Sequence, residues 1–249
     1  MSEHIRVAVT EGVCTVTIDR PEKKNSLTRA MYAGLADAIE MATADEAVRC
    51  LLLTGAGDVF CAGNDINDFR NRPAESDGPP PSRRFYFGLA EFPKPVVAAV
   101  PGLAIGIGCT MLLHADIIYA APEARFRLPF VDLGVVPELG SSLLLPRLVG
   151  QQRAAELLML GEYFDAATAR EFGLVNRVVP LPELLPQASA AALALARKPA
   201  QALRLTKSLL RQDMPMLLQR MEEERELFAR QLASPETQAI MAGVLKPKT

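Results

Sequence analysis

The stretch Lys94–Ala120, KPVVAAVPGLAIGIGCTMLLHADIIYA, decides how this chain is read. Pro95–Val100 is a short apolar run without alternation, the pattern of a strand buried on both faces. Gly102–His114 starts rich in glycine and continues apolar, which predicts a turn feeding a buried helix. Asp116–Ala120 is a second short apolar run. Strand, helix and strand in that order require a crossover, and so a mainly parallel sheet in an α/β fold.

Working outward, Val48–Thr54 is a further buried strand, stopped by Gly55. Val7–Val9 and Cys14–Ile18 alternate apolar and polar around Glu11-Gly12 and predict a hairpin. Thr28–Ala42 sets Met31, Leu35, Ile39 and Ala42 at helical spacing. Residues Arg70–Arg84 are polar and contain Pro79-Pro80-Pro81; they are expected to form a mobile surface loop that orders over a bound ligand. Downstream, helices are expected over Glu138–Val149, Gln151–Leu160 and Asp165–Phe172, the last capped by Asp165, with one more strand at Val175–Val179. Leu184–Arg197, Gln201–Arg211 and Leu217–Ala233 read as helices. A boundary near Pro180 or Pro199 divides the chain into an α/β core, residues 1–198, and a helical region, residues 199–249.

Bulk composition excludes several function classes. Hydrophobic residues make up 49% of the 249 residues, charged residues 22%, and the formal net charge is −2. No basic surplus points to nucleic acid and no charged tail points to a membrane surface. With no Trp and 6% aromatics, base-stacking platforms are not expected. No apolar stretch escapes interruption by Gly, Pro or charge for long enough to span a bilayer. Met1–Arg6 is unlike a signal peptide, and Lys246–Thr249 is unlike a peroxisomal address. Cys14, Cys50, Cys61 and Cys109 form no CxxC pair, and His4 and His114 are the only histidines. No metal site is expected, and free thiols fit a cytoplasmic location.

Three segments could carry chemistry. Two glycine-rich turns follow buried strands, Gly57–Ile66 and Pro101–Cys109. Ligands of α/β sheets gather beyond the carboxyl ends of strands, and glycine there lets backbone N–H groups approach a ligand. The second turn opens a helix, whose first N–H groups lack partners and carry partial positive charge. Two N–H groups, one from each turn, could form an oxyanion hole; ordinary tight packing of helix on strand explains Gly106 or Gly108 equally well. Gly106-Ile107-Gly108 is not a dinucleotide fingerprint, because Met111 stands where the third Gly belongs, and no Gly-Lys-Ser/Thr follows. The third segment is Leu128–Ser142. Glu138 lies there among apolar residues, where a raised carboxyl pKa would suit proton transfer. Locally, however, Glu138 reads better as a first-turn acid complementing a helix dipole.

Four motifs, in order and spacing, resemble the crotonase (enoyl-CoA hydratase/isomerase) family. They are Arg20-Pro21 with Asn25-Ser26-Leu27, Phe60-Cys61-Ala62-Gly63-Asn64-Asp65, Lys94–Gly102, and Ala115-Asp116-Ile117-Ile118. The resemblance runs from about residue 5 to the C-terminal helices. It implies a spiral of ββα units, a helical C-terminal trimerisation region giving a homo-trimer or hexamer, and an acyl-CoA substrate. It also implies an oxyanion hole for the thioester oxygen, built from the N–H groups of Asn64 and Ile107. Ile107 departs from the Gly usual at that position, keeping the N–H but changing the backbone and acyl pocket around Gly106. Ala62, Gly63, Asn64, Asp65 and Ile66 would face the adenine end of CoA, and Phe130 the acyl chain.

In the same family, hydratases use two glutamates, which fall here on Thr110 and Phe130; neither can activate water or protonate carbon. Val136-Pro137-Glu138 followed by Ser141-Ser142, and Asn64-Asp65 after Ala-Gly, resemble instead the peroxisomal-type 3-enoyl-CoA to 2-enoyl-CoA isomerases. The resemblance implies that Glu138 removes an alpha proton and returns it at the gamma carbon. No cofactor beyond the CoA of the substrate is expected. The rivals are a hydratase or another crotonase reaction such as thioester hydrolysis, and a catalytically silent acyl-CoA-binding protein. Asp65 and Asp132 read as braces of their turns, Asp116 as an anchor of its strand, and His114 as packed. Glu222–Glu226 reads as a solvated helix face. Apolar positions such as Leu217, Leu218 and Met221 motivate the expected threefold assembly.

Overall fold

The computed structural model describes residues 3–70, 79–211 and 213–244. Strands β1 (Ile5–Thr10) and β2 (Val13–Ile18) form the expected hairpin, antiparallel with Val7 opposite Val16. Helix α1 (Arg29–Ala44) is capped by Thr28, whose hydroxyl accepts the Met31 N–H at 3.3 Å. Its buried residues Met31, Leu35, Ile39 and Ala42 are those the spacing selects. Strands β3 (Cys50–Gly55) and β4 (Val59–Cys61) follow, then helices α2 (Ile66–Arg70) and α3 (Pro81–Glu91). The next unit is β5 (Val96–Val100), β6 (Leu103–Ile105) and α4 (Ile107–Thr110), and the next β7 (Ile117–Ala120), β8 (Arg125–Arg127), α5 (Ser141–Val149) and α6 (Gln151–Met159). Then come β9 (Phe164–Asp165), α7 (Ala166–Glu171), β10 (Arg177–Val178), α8 (Leu181–Ala196), α9 (Ala200–Leu210), α10 (Met214–Leu232) and α11 (Pro235–Val244).

Two sheets result, a six-stranded one in the order β1-β2-β3-β5-β7-β10 and a four-stranded one in the order β4-β6-β8-β9. After the β1–β2 hairpin, which lies wholly in the larger sheet, the pairs β3–β4, β5–β6 and β7–β8 each give their first strand to the larger sheet and their second to the smaller, so the chain advances as a spiral. All pairs are parallel except β1–β2 and β8–β9. The central strands are apolar throughout because both faces are covered. Leu51, Leu53, Val96 and Ala98 face the main core. Cys50, Leu52, Val97 and Ala99 face a second layer, where α8 lays Leu184, Ala188, Ala192 and Ala196 in one stripe.

The structure corrects three sequence expectations. Gly102 does not begin a turn into a helix: Leu103–Ile105 is a strand of the smaller sheet. Gly102 is required because an added Cβ would lie 1.9 Å from the Asp58 carbonyl oxygen. Pro81–Arg84, expected as loop, is the first turn of α3, with Pro at the opening position where its missing N–H costs nothing. Residues 71–78 of the expected loop lie outside the described residues. Glu138 precedes α5, which starts at Ser141 after Gly140.

Candidate active site

The two glycine-rich turns lie side by side. Strands β4 and β6 pair in parallel, with Cys61 opposite Ala104. An added Cβ at Gly108 would lie 2.3 Å from the Cys61 carbonyl oxygen, and one at Gly63 would lie 3.2 Å from that of Ile105. Gly63 has φ +100° and Gly106 φ +55°, both in the region that favours glycine. Glycine is thus fixed here by close approach and by conformation together.

Backbone pairing frees the two N–H groups of interest. Leu27 forms a parallel bridge with Asn64: its N–H donates to the Gly63 carbonyl at 2.8 Å, and the Asp65 N–H donates to the Leu27 carbonyl at 2.9 Å. Successive N–H groups of an extended segment point to opposite sides, so the Asn64 N–H faces away from Leu27. Ile107 opens α4 and therefore has no intrahelical acceptor for its N–H. Its side chain is fully buried in the core, as is that of Phe130.

Asp65 is occupied by its own turn. Its Oδ2 accepts from Arg20 at 2.7 Å, and its Oδ1 accepts the N–H groups of Asn67 at 3.0 Å and Asp68 at 3.3 Å. These donors hold its carboxyl below the usual range against the opposing effect of partial burial. Ala62 and Ile66 flank it, half-buried. Asn25 locks the same corner from within: its Oδ1 accepts the Arg20 N–H at 2.8 Å, and its amide donates to Ala56 at 3.0 Å and Val59 at 2.7 Å.

The third segment is held differently. Glu138 is 5% exposed. Its Oε2 accepts the Tyr86 hydroxyl at 2.7 Å, and its Oε1 is buried with no hydrogen-bond partner among the described residues. Burial pushes the carboxyl up to about 7; the Tyr86 hydrogen bond opposes this and the nearby Glu224 adds to it. An acid of that strength is poised to take or give a proton near neutrality.

The loop under Glu138 is tightly determined. Leu139 has φ +60° and Gly140 φ +72°, and the leucine is a strained conformer that surrounding contacts must stabilise. Those contacts come from three elements. His114 donates from Nε2 to the Leu139 carbonyl at 2.8 Å, and burial lowers this imidazole to about 4, so it stays neutral. The Ser141 hydroxyl donates to the Glu138 carbonyl at 2.7 Å. Glu224 of α10 accepts the Gly140 N–H at 2.6 Å and the Ser142 N–H at 2.9 Å. The acid that serves the start of α5 is therefore Glu224, not Glu138. The expected solvated face at Glu222–Glu226 is corrected at this residue, which is 4% exposed.

A cavity joins these parts. Asn64 lies on its wall with Glu138, Tyr86, Tyr32, Met221 and Phe228. Ile107 and Phe130 are buried in the main core and do not line this cavity. Sequence reasoning missed Tyr32, Tyr86 and Glu224. Leu217 and Met221, expected on an assembly face, are buried against Gly140 within the chain. Asp132 pairs with Arg127 at 2.8 Å, and Asp116 accepts the Val96 N–H at 2.7 Å and Lys207 at 2.8 Å, so both brace the fold. Among the described residues no cluster of His, Cys, Asp and Glu could hold a metal, and no helix is long and apolar enough to cross a membrane.

Known proteins share this fold and much of this sequence. The enoyl-CoA hydratase/isomerase family model matches residues 8–245. The chain is 42% identical over 216 residues to 1,2-epoxyphenylacetyl-CoA isomerase of Escherichia coli K12, covering 83% of this chain and 81% of that protein. It is 32% identical to 2,3-dehydroadipyl-CoA hydratase of the same organism, covering all of this chain and 98% of that one. A crystal structure of an enoyl-CoA hydratase/isomerase from Pseudoalteromonas atlantica superposes with a TM-score of 0.95 at 41% identity, covering 99% of this chain and 98% of that one. By fold, motif order and these likenesses, the chain belongs to the enoyl-CoA hydratase/isomerase, or crotonase, family of CoA-thioester enzymes.

Proposed function

We propose that this chain shifts the double bond of an enoyl-CoA from the beta,gamma to the alpha,beta position, with Glu138 as its single acid–base group. The observation that carries the reading is the buried Oε1 of Glu138, without a partner among the described residues, beside the cavity on a carboxyl raised to about 7. The thioester oxygen would sit against the N–H groups of Asn64 and Ile107. Negative charge developing on that oxygen is stabilised there, and loss of either donor would cost about 2.7–4 kcal/mol of activation energy. Ala62, Gly63, Asp65, Ile66 and Gly106 shape the backbone that receives CoA; Phe130 backs the acyl pocket from the core.

One base suffices for isomerisation, because the proton taken from the alpha carbon can return at the gamma carbon. Hydration needs a second group to activate water. At the two positions where the resemblance places hydratase glutamates stand Thr110, buried with its hydroxyl 3.5 Å from the Ile107 carbonyl, and Phe130. The catalytic chemistry proposed here needs no further cofactor. The apolar residues that α9 leaves exposed, Leu205, Leu209 and Leu210, favour assembly as a trimer or a pair of trimers.

The reading is tested with 3-enoyl-CoA and 2-enoyl-CoA of matched chain length and product analysis. Interconversion of the two isomers without water uptake is expected. A 3-hydroxyacyl-CoA as main product would establish a hydratase, and tight CoA-ester binding without turnover a silent binder.

A further inference from the structure

The two oxygens of Glu138 are not equivalent. Oε2 is held by the Tyr86 hydroxyl at 2.7 Å, while Oε1 is buried and has no partner among the described residues. Behind Tyr86 the contacts continue. Its hydroxyl oxygen lies 3.2 Å from that of Tyr32, and Tyr32 donates to the Asn64 side-chain oxygen at 2.5 Å. Each phenol has one proton. Tyr32 spends its proton on Asn64, so Tyr86 has its own available for Glu138. The arrangement needs no rotation when Glu138 gains a proton on Oε1, because Oε2 then remains an acceptor.

Packing fixes the donor. Tyr86 meets Tyr32 edge-on with centroids 5.8 Å apart at 72°, and Phe85 at 6.0 Å and 63°. The first contact joins α1 to α3 and the second lies within α3; together they leave the Tyr86 ring little room to swing. Among the described residues, Glu224 from α10 acts on Glu138, and Glu138 acts on the Cys61 thiol from β4, which burial pushes up to about 12 and keeps neutral; Arg29 of α1, Asp68 of α2, Arg83 of α3 and Arg225 of α10 line the same cavity.

We propose that Tyr86 is a positioning residue that ties down Oε2, so that Oε1 alone carries the proton from the alpha to the gamma carbon on one face of the substrate. This rests on the isomerase reading above. The alpha C–H bond breaks, its proton goes to Oε1, and its electron pair delocalises onto the thioester oxygen. The Oε1–H bond then breaks, and the proton bonds to the gamma carbon through the electron pair of the former beta,gamma double bond. The pair on the oxygen returns and closes the alpha,beta double bond. A carboxylate free to turn would instead present either oxygen and lose the proton to exchange more often.

Tyr86→Phe tests this, since it removes the donor and keeps the ring. The first readout is infrared titration of the Glu138 carboxyl, its band assigned by its loss in Glu138→Gln. The midpoint should move up on the order of one pH unit, because a hydrogen bond to the charged form is gone. The second readout is the fraction of deuterium carried from the alpha to the gamma carbon of labelled 3-enoyl-CoA, which should fall severalfold. Calorimetry with a saturated acyl-CoA confirms a folded site. An unmoved titration midpoint overturns the proposal whatever the turnover, and so does wild-type label transfer in the variant. A wild-type protein that does not isomerise sinks the functional reading instead, and the infrared midpoint still decides whether Tyr86 governs Glu138.

Discussion

The two halves of the candidate site are built on opposite principles. On one side, the turns at Gly63-Asn64 and Gly106-Ile107 offer backbone N–H groups, fixed by glycine conformations and by strands that pair next to each other. On the other, Glu138 is one side chain whose acidity and aim come from afar: Tyr86 lies 52 residues upstream, and Glu224 binds a backbone 84 residues away. A backbone donor survives substitution of its own side chain, whereas an acid–base group does not. The first half is robust and locally encoded, the second sensitive and assembled by the tertiary fold.

The sharpest way to break this contrast is Glu138→Gln. Gln keeps size and hydrogen bonding but cannot relay a proton, so steady-state turnover should fall by about 10²–10⁴-fold or more while a saturated acyl-CoA still binds. Turnover near that of the wild type would remove Glu138 as the base.

The same substitution should raise stability at high pH. The folded carboxyl titrates near 7 against an ordinary value of 4.5, so the folded state holds the proton more tightly. Its stabilising contribution is full below about 4.5 and lost as pH rises through about 7. Above pH 8 Glu138→Gln should therefore be more stable than wild type by up to about 3 kcal/mol in urea unfolding. A destabilised variant at that pH would mean the buried carboxylate is better solvated than its surroundings indicate.

On the backbone side, Gly108→Ala places a methyl group against the Cys61 carbonyl and should displace the neighbouring donor. A rate loss of about 10²–10³-fold is expected in single-turnover assays, with Glu138 titrating as before. Ile107→Ala should do the reverse. It keeps the N–H and empties a core position, so about 2–5 kcal/mol of stability is lost with little change in kcat.

The smallest expected effect is that of Glu224→Gln. One of the two N–H groups it serves would face an amide instead of an oxygen, costing about 1–3 kcal/mol in unfolding experiments. With the neighbouring charge removed, the acid limb of the rate profile should shift to lower pH.

What the sequence made legible follows the same division. The larger sheet is apolar run by apolar run, α1 announces itself through the spacing of Met31, Leu35, Ile39 and Ala42, and α7 through its cap Asp165. The smaller sheet is hidden because its strands have two or three residues, too short for any period. Helix α3 has no sequence expectation behind it: Pro79-Pro80-Pro81 masks its start, although Pro81 at a first helical position is a permitted start. The two glycine turns are visible as candidates from local sequence. Glu138 is not separable locally from a helix-dipole acid, and only the family resemblance singles it out. Tyr86 and Tyr32 sit on helices whose approach to Glu138 no local pattern encodes. Glu224 did carry a signal: with Leu217, Met221 and Phe228 it falls on one helical stripe, and Leu217, Met221 and Glu224 are buried in the structure. An acid on an apolar stripe is a buried acid in need of partners, and it finds them at Gly140 and Ser142.

The most direct test of one carboxylate ionising near neutrality is the pH dependence of kcat/KM for conversion of 3-enoyl-CoA to 2-enoyl-CoA by the wild-type protein. The account predicts a rate that climbs with a single ionisation near pH 7 and levels above it, with the unhydrated 2-enoyl thioester as first product. A rate flat from pH 5 to 8, or a limb near the ordinary carboxylate value of 4.5, would contradict it.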